Sequence, residues 1–465
     1  MKARELREKL KKEYTLYPLK HNTKKEKQTI FDNTKSFLYK SINKEIVNNE
    51  EDNLKIIGIS GSKGKSSVAY LLHNMLLKLG KESILYSSIH IDSKCSYKGL
   101  HAVENPLRDK EMLLNAINEA LESKAEYLIL EVNEKAINEH IIDDVEFDIK
   151  VLTNVLNKHN NYLYKNYEEI KKSFLLNNNS SNTKLIFSLT NDNTLDLYNK
   201  LNNKIVVTSD YFIDRFNLNI NNISYLIKAN EQELETINGI NFDLFTKTKK
   251  LNIKSNLLMV HNTFNIALCY AILDTLGLSN ESVFLKEVKN IVIPGRCEVK
   301  EYKNKKIIVS YGLDPELASL KRLKEKGQIN NIRVVSGASG LGYKTWNKIY
   351  SSNEYIDEKI EGMNFAYNYI EKNADCVYIT TSDSGATNKQ ELLDYQASRV
   401  NKIEKQVYEN RKYAIYKAIT DSKEKDVILI SGRGNREIMC DGYDSVSLFL
   451  DSEKVDEILQ DMENM

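Results

Sequence analysis

The chain has 465 residues, 41% hydrophobic and 28% charged, the mix of a soluble globular protein with apolar mass for several cores. Lys and Arg total 66 against 65 Asp and Glu, and the resulting net charge of +1 argues against a general nucleic-acid coat or an acidic tail. No apolar run approaches the ~18 residues that a membrane helix needs.

The charged start, MKARELREKLKKEY, lacks the apolar core of a secretory signal. Cys95, Cys269, Cys297, Cys376 and Cys440 are widely spaced and form no CxxC pair. That pattern fits a reducing cytosol rather than a disulfide framework. The expectation is a cytoplasmic protein engaging neither nucleic acid nor membrane, with its oligomeric state open.

Residues 1–50 are polar and helix-prone and read as a helical lead-in. LKIIGIS (54–60) is a buried strand running into glycines, and Val68, Leu71, Leu72, Met75, Leu76 and Leu79 follow at helical spacing. SILYSS (83–88), YLILEV (127–132), DIKVLTNV (148–155) and KLIFSL (184–189) read as further buried strands with helices between several of them. This is the rhythm of a parallel sheet with crossover helices. From about 205 to 256, short alternating runs such as ISYLIK and INFDLF read as an antiparallel meander grafted onto that unit. A helix over about 261–276 stops at Gly277, a suitable C-cap.

Beyond Ile293-Pro294-Gly295 the alternation restarts with KKIIVSYG, IRVVSGASG, ADCVYITTSD and DVILISGRG. The expected fold is α/β: a central P-loop parallel-sheet ATPase domain with a small antiparallel subregion over 51–293, then a Rossmann-like C-terminal α/β domain over 294–465.

Gly58-Ile59-Ser60-Gly61-Ser62-Lys63-Gly64-Lys65-Ser66-Ser67 lies between the first strand and its helix. Phosphate binding needs glycines that let backbone N–H groups turn inward, a lysine for the β/γ-phosphates and a hydroxyl for Mg²⁺. The helix start behind the loop adds partial positive charge. The strict GxxxxGK[ST] spacing wants glycine where Ile59 stands.

G-S-K-G-K-S-S resembles the ATP loop of the Mur ligase family (GT-x-GK-[ST]-[ST]), ATP-dependent amide-bond-forming ligases, and the chain resembles a divergent MurE-like member. The resemblance implies ATP contacts from Gly61, Ser62, Gly64, Lys65, Ser66 and Ser67. Leu130-Glu131-Val132 is similar to the segment whose glutamate holds Mg²⁺ near the γ-phosphate. Thr153-Asn154-Val155-Leu156-Asn157-Lys158-His159 resembles T-N-x-x-x-D-H, which implies His159 as a second metal ligand and Asn154 near the substrate; Lys158 replaces the acid. Near Tyr167 the family carries a lysine that is carbamylated in several members; Lys171 fits best, with Lys172 the fallback. A carbamate is an anionic oxygen ligand, so the implied metal set is Ser66, Glu131, His159 and Lys171, for one Mg²⁺ ion or two. His261-Asn262-Thr263-Phe264-Asn265 and Pro294-Gly295-Arg296-Cys297-Glu298 resemble the family's H-N-x-x-N and P-G-R-x-E, implying nucleotide contacts from Asn262, Asn265 and Arg296.

The departures lie toward the amine. The family's D-Y-A-H-x-P reads Ser310-Tyr311-Gly312-Leu313-Asp314-Pro315, and D-N-P-R reads Asp383-Ser384-Gly385-Ala386. G-K-G-H-E is approached by Gly432-Arg433-Gly434-Asn435-Arg436-Glu437, which leaves Asp383, Arg433 and Glu437 as substrate candidates and Arg433 and Arg436 as possible grips on an acidic amine. Ser336-Gly337-Ala338-Ser339-Gly340-Leu341-Gly342 reads as a strand-to-helix turn. Only about fifty polar residues precede the loop, so a complete UDP-sugar-binding domain is not expected ahead of it.

The resemblance therefore implies a ligase joining a small-molecule or peptide carboxylate to an amino-acid-like amine through an acyl phosphate, with release of ADP and phosphate. Two other readings stay open at this point: a nucleotide-binding partner subunit without amine chemistry, and a plain P-loop switch.

Overall fold

In the computed structural model the described residues are 54–89, 106–156, 164, 166–229, 234–340, 353–384, 388–440 and 446–464. The expected lead-in, Lys158, His159, Gly342 and Ala386 lie outside them.

The first α/β unit contains strands β1 (Lys55–Ser60), β2 (Ser83–Tyr86), β3 (Tyr127–Glu131), β4 (Ile149–Leu152), β5 (Lys184–Ser188), β6 (Ile205–Ser209), β7 (Tyr225–Ala229), β8 (Glu235–Thr236), β9 (Gly239–Phe245) and β10 (Lys250–Ser255). Its helices are α1 (Lys65–Lys78), α2 (Lys110–Glu122), α3 (Glu134–Asn138), α4 (Tyr167–Leu176), α5 (Asp192–Lys200), α6 (Asp210–Phe216), α7 (His261–Thr275) and α8 (Glu281–Lys289). The sheet runs β2-β3-β1-β4-β5-β6-β7-β9-β10, with β8 paired to β9. It is parallel through β7 and antiparallel beyond.

Two features differ from the sequence expectation. The antiparallel part begins only where β9 meets β7, because β6 and β7 continue the parallel sheet. Helix α6 between them supplies the crossover that a parallel pair requires. Nor is the meander a graft, since β9 bonds directly to β7 and one sheet spans the whole unit.

Helices α1 and α7 share the core on one face of the sheet. Nearly every residue of α7 from Asn262 to Leu273 is buried, as expected of a helix apolar on all sides. The strand ends are level where it matters: Ile59 of β1 pairs with Glu131 of β3, and Ser60 with Leu152 of β4. After β3 the chain crosses to the other flank of β1, and a parallel sheet opens its ligand crevice at such a reversal.

The second unit has strands β11 (Glu298–Tyr302), β12 (Lys305–Ser310), β13 (Ile332–Ser336), β14 (Cys376–Thr380), β15 (Glu404–Tyr408) and β16 (Val427–Ser431) in the order β11-β12-β16-β13-β14-β15. A separate pair, β17 (Ile438–Cys440) and β18 (Val446–Leu448), follows. Helices α9 (Asp314–Glu325), α10 (Asn353–Asn373), α11 (Lys389–Ser398), α12 (Arg411–Asp421) and α13 (Asp451–Glu463) complete it. Strand β11 is antiparallel to β12 across Lys303 and Asn304, with φ of 46° and 60°, the left-handed pair of a tight hairpin. Among the described residues no helix is long and apolar enough to cross a membrane.

One buried ion pair ties this unit together. The Arg411 guanidinium donates to both Asp451 oxygens at 2.7 and 2.8 Å and to the Ser431 carbonyl at 3.1 Å. Substituting Asp451→Ala strands a buried cation, for which the expected cost is about 3–5 kcal/mol. A lowered urea-unfolding midpoint measures it; an unchanged midpoint contradicts it.

Candidate active site

Strand β1 ends at Ser60 and α1 starts at Lys65, so four residues make the turn. Gly61 has φ 135°, and a Cβ there would fall 2.1 Å from Thr153 Oγ1. Gly64 has φ 85°, and a Cβ there would fall 2.6 Å from Asn265 Oδ1. The segment after β4 is thus pressed against the loop's floor. Asn154 clamps Lys63, accepting from its N–H at 3.0 Å and donating to its carbonyl at 3.0 Å. Thr153 Oγ1 also donates to that carbonyl, at 2.5 Å. Ser62 N–H donates to the Asn154 carbonyl at 3.0 Å, and its hydroxyl accepts from Tyr167 OH at 3.1 Å.

Behind the loop Asn265 donates to Asn262 Oδ1 at 2.8 Å, and Asn262 donates to the Leu258 carbonyl at 2.6 Å. Asn154, Asn262 and Asn265 therefore all brace the loop in this structure.

Glu131, 4% exposed, sits at the end of β3 against the first turn of α1. Ser66 donates to its Oε1 at 3.0 Å, while Ser87 Oγ and Ser88 N–H donate to its Oε2 at 2.7 and 2.9 Å. Burial pushes this carboxyl up, but Lys65 and the bonds from Ser87, Ser88 and Ser66 outweigh it and hold the group below its ordinary value. An ionised carboxylate beside a hydroxyl is a hard, oxygen-only donor set that suits Mg²⁺.

Lys171 on α4 is fully buried, with its Nζ 2.9 Å from Glu134 Oε2. Burial, and then the nearby Lys65, lower this amine to about 7 against the pull of Glu134. Burial alone would raise the Glu134 carboxyl; Lys171 and Lys65 outweigh it and bring it to about 2. Lys172 behaves differently, paired with Asp196 at 2.9 Å and Glu169 at 2.5 Å. Between the two lysines, Lys171 is the one coupled to Lys65.

The second unit reaches into this assembly. Asn435 donates to the Ser88 carbonyl at 2.9 Å, and Arg296 Nη1 donates to Asn435 Oδ1 at 2.8 Å. Lys63 and Asp314 form an exposed pair at 2.7 Å across the same boundary. Arg296 and Arg436 both lie on the Tyr311 ring, 4.9 and 5.1 Å from its centroid. Arg433, fully buried, donates to Asp383 Oδ1 at 2.9 Å and to the Ile438 carbonyl at 2.8 Å. Arg436 takes the other Asp383 oxygen at 3.2 Å. Glu437 is not brought to this group; the charged residue that acts on it is Glu453 of α13.

Glu134, Ser87 and Ser88 were not singled out in the sequence, and Tyr167 and Asn435 were quoted there only as members of their segments, with no role of their own. Of the first three, only Glu134 left a trace, as a second carboxylate three residues beyond Glu131.

A phosphate loop at the reversal point of a parallel sheet, with a second α/β unit set against it through Asn435, is the build of a nucleotide-binding crevice between two units. The middle domain of the Mur ligases matches residues 59–273 of this chain. The chain is 26% identical to the UDP-N-acetylmuramoyl-L-alanyl-D-glutamate--2,6-diaminopimelate ligase of Helicobacter pylori (strain J99), over 88% of this chain and 85% of that protein. The protein of the same name from Fusobacterium nucleatum is 25% identical, over 82% of this chain and 73% of its own. In fold it resembles the MurF ligase from Thermotoga maritima in complex with ADP, with a TM-score of 0.59 at 16% identity, covering 96% of this chain and 88% of that one. Folylpolyglutamate synthase from Thermotoga maritima gives 0.55 at 16% identity, covering 82% and 86%.

Because Gly61 combines a positive φ with a 2.1 Å approach to Thr153, Gly61→Ala forces the loop to move. A calorimetric titration is expected to show ATP affinity reduced at least about tenfold, a change of ~1.4 kcal/mol. Unaltered affinity would show that the loop's path does not matter for the nucleotide.

Proposed function

We propose that the chain is an ATP-dependent carboxylate–amine ligase forming an amide bond through an acyl phosphate and releasing ADP and phosphate, with residues 51–293 and 294–465 as its two domains. The observation that carries this reading is the contact between Asn435 and Ser88, which sets the second unit directly on the Ser66–Glu131 assembly. A nucleotide switch needs no such partner, whereas a ligase must hold an amine next to an activated carboxylate.

In this reading the carboxylate of the first substrate attacks the γ-phosphorus of ATP. The P–O bond to ADP breaks, giving the acyl phosphate. The amine adds to the acyl carbon, a tetrahedral intermediate forms, and phosphate leaves as the amide is completed. Lys65 and the backbone N–H groups at the start of α1 neutralise the β/γ-phosphates. Ser66 and Glu131 would hold Mg²⁺, which supplies charge stabilisation of the phosphoryl oxygens. Arg296, half-buried beside Asn435, faces the developing negative charge. The second unit, set against the site through Asn435, excludes the water that would otherwise hydrolyse the acyl phosphate.

Lys171 is the carbamate candidate, because CO₂ adds only to a neutral amine and burial brings this one to about 7. The neutral fraction grows as pH rises through that value. With ¹³C-bicarbonate, the carbamate NMR signal is expected to be weak at pH 6, to strengthen toward pH 8 and to vanish in Lys171→Ala. A signal that persists in Lys171→Ala sinks the assignment.

The function is tested by incubating the protein with ATP, Mg²⁺ and pooled acids and amines, following phosphate release and product mass. Release that requires both an acid and an amine, with a new amide mass, supports the ligase. Lys65→Ala is expected to lower that rate at least about a hundredfold. ATP binding without release under any pool favours the partner-subunit reading instead.

A further inference from the structure

The first turn of α9 carries a carboxyl that turns into the second unit rather than out to solvent. Glu316 is 5% exposed, and its Oε1 lies 2.8 Å from Ser310 Oγ at the end of β12. Resting on the ligase reading, in which Arg296 serves the nucleotide, we propose that Glu316 is a positioning residue for that arginine. It fixes the Ser310 hydroxyl, and through it the stacking of Arg296 on Tyr311.

A hydroxyl has one hydrogen to give and two lone pairs to receive. Ser310 gives its hydrogen to Glu316 Oε1, so its lone pairs are left for the Cys297 N–H at 3.3 Å and the Gly312 N–H at 3.4 Å. Those two amides follow Arg296 and Tyr311 in the chain, the pair that stacks with 4.9 Å between guanidinium and ring centroid. Both bonds are long, and they last only while the lone pairs are aimed at them. Cys297 also has φ 55°, a conformation uncommon for a residue with a side chain, and the bond from its N–H steadies that turn.

Burial is the largest influence on the Glu316 carboxyl and pushes it up, against the Ser310 bond and the field of Lys63. Its Oε2 finds no hydrogen-bond partner among the described residues, a position that an ionised oxygen tolerates poorly. The group therefore works through Oε1 as an acceptor, not through charge.

Gly312 makes room for this arrangement. A Cβ there would fall 2.3 Å from Glu316 Oε1 and 2.6 Å from Oε2. Ser310 and Gly312 stand where D-Y-A-H-x-P has its aspartate and its alanine. An aspartate at 310 could offer both amides an oxygen of its own, whereas a serine needs a neighbour to take up its hydrogen. An alanine at 312 would occupy the space that the Glu316 carboxyl uses. The three residues form one unit, and each is explained by the other two.

The test titrates a non-hydrolysable ATP analogue into the full chain with Mg²⁺ by calorimetry, with urea-unfolding midpoints as the check on folding. Glu316→Ala is expected to weaken binding at least about fivefold. Glu316→Gln keeps an acceptor oxygen and is expected to stay within about threefold of the unaltered chain. Gly312→Ala displaces the carboxyl and is expected to match Glu316→Ala, yet to add nothing when the two are combined. In an Arg296→Gln background, Glu316→Ala is expected to change the affinity by less than about twofold.

Unchanged affinity in Glu316→Ala, losses that add in the Arg296→Gln background, or a glutamine variant as weak as the alanine one would overturn the proposal. So would a failure of the unaltered chain to bind the analogue. A merely structural role would lower the unfolding midpoint and leave the affinity of the folded protein alone. The pooled phosphate-release assay separates this from the ligase reading. Amide formation with full analogue affinity in Glu316→Ala refutes the positioning role and leaves the ligase standing. The expected affinity pattern without an amide product from any pool does the reverse.

Discussion

A carboxylate buried at the end of a β-strand ordinarily takes up a proton, and the site depends on Glu131 not doing so. Three donors from two other segments, Ser66, Ser87 and the Ser88 N–H, together with the field of Lys65, keep it ionised. Each donor arrives by a separate structural decision: the first turn of α1, the end of β2, and the pairing that levels β1, β2 and β3. A one-residue slip in any of those pairings would turn Glu131 to the opposite face of the sheet. The parallel register is thus an electrostatic requirement as much as a packing one.

From this carboxylate the rest of the centre is reached in short steps. Lys65 acts on Glu131, Glu134 and Lys171 alike, so the ionisation of the whole group is shared. The two adjacent lysines on α4 show how position overrides residue type. Lys172 projects to Glu169 and Asp196 and its amine is raised, whereas Lys171 is enclosed and its amine is lowered. Side chains at consecutive helix positions point about 100° apart, enough to place one in the core and the other at the rim.

Local pattern made the phosphate loop readable: an apolar run, three glycines, and an amphipathic helix need no long-range information. The buried strands were equally plain. What escaped was fixed by tertiary pairing. β6 and β7 have the short alternating look of hairpin strands, and only the helix between them marks the crossover. β11 is turned by Lys303-Asn304, a pair without the glycine that usually signals such a hairpin. Ser87 and Ser88 are small polar residues with no motif of their own, and Asn435, which stands where G-K-G-H-E has its histidine, meets Ser88 across 347 positions of sequence through one hydrogen bond. Arg433 and Arg436 looked equivalent in the sequence; burial in one case and stacking on Tyr311 in the other tell them apart.

The Gly295–Gly434 contact bears on how the cleft opens. The chain passes from one unit to the other at this point, and the Gly295 carbonyl also accepts the Tyr311 N–H at 2.9 Å. Any swing of the second unit that preserves these contacts pivots here, so Arg296 and Asn435 sit near the axis and move least. The Lys63–Asp314 pair also crosses between the units, but it is exposed and carried by side chains alone. Exchange of nucleotide and product can then proceed by unfastening a weak, exposed charge pair while the backbone contacts around Gly295 keep their shape.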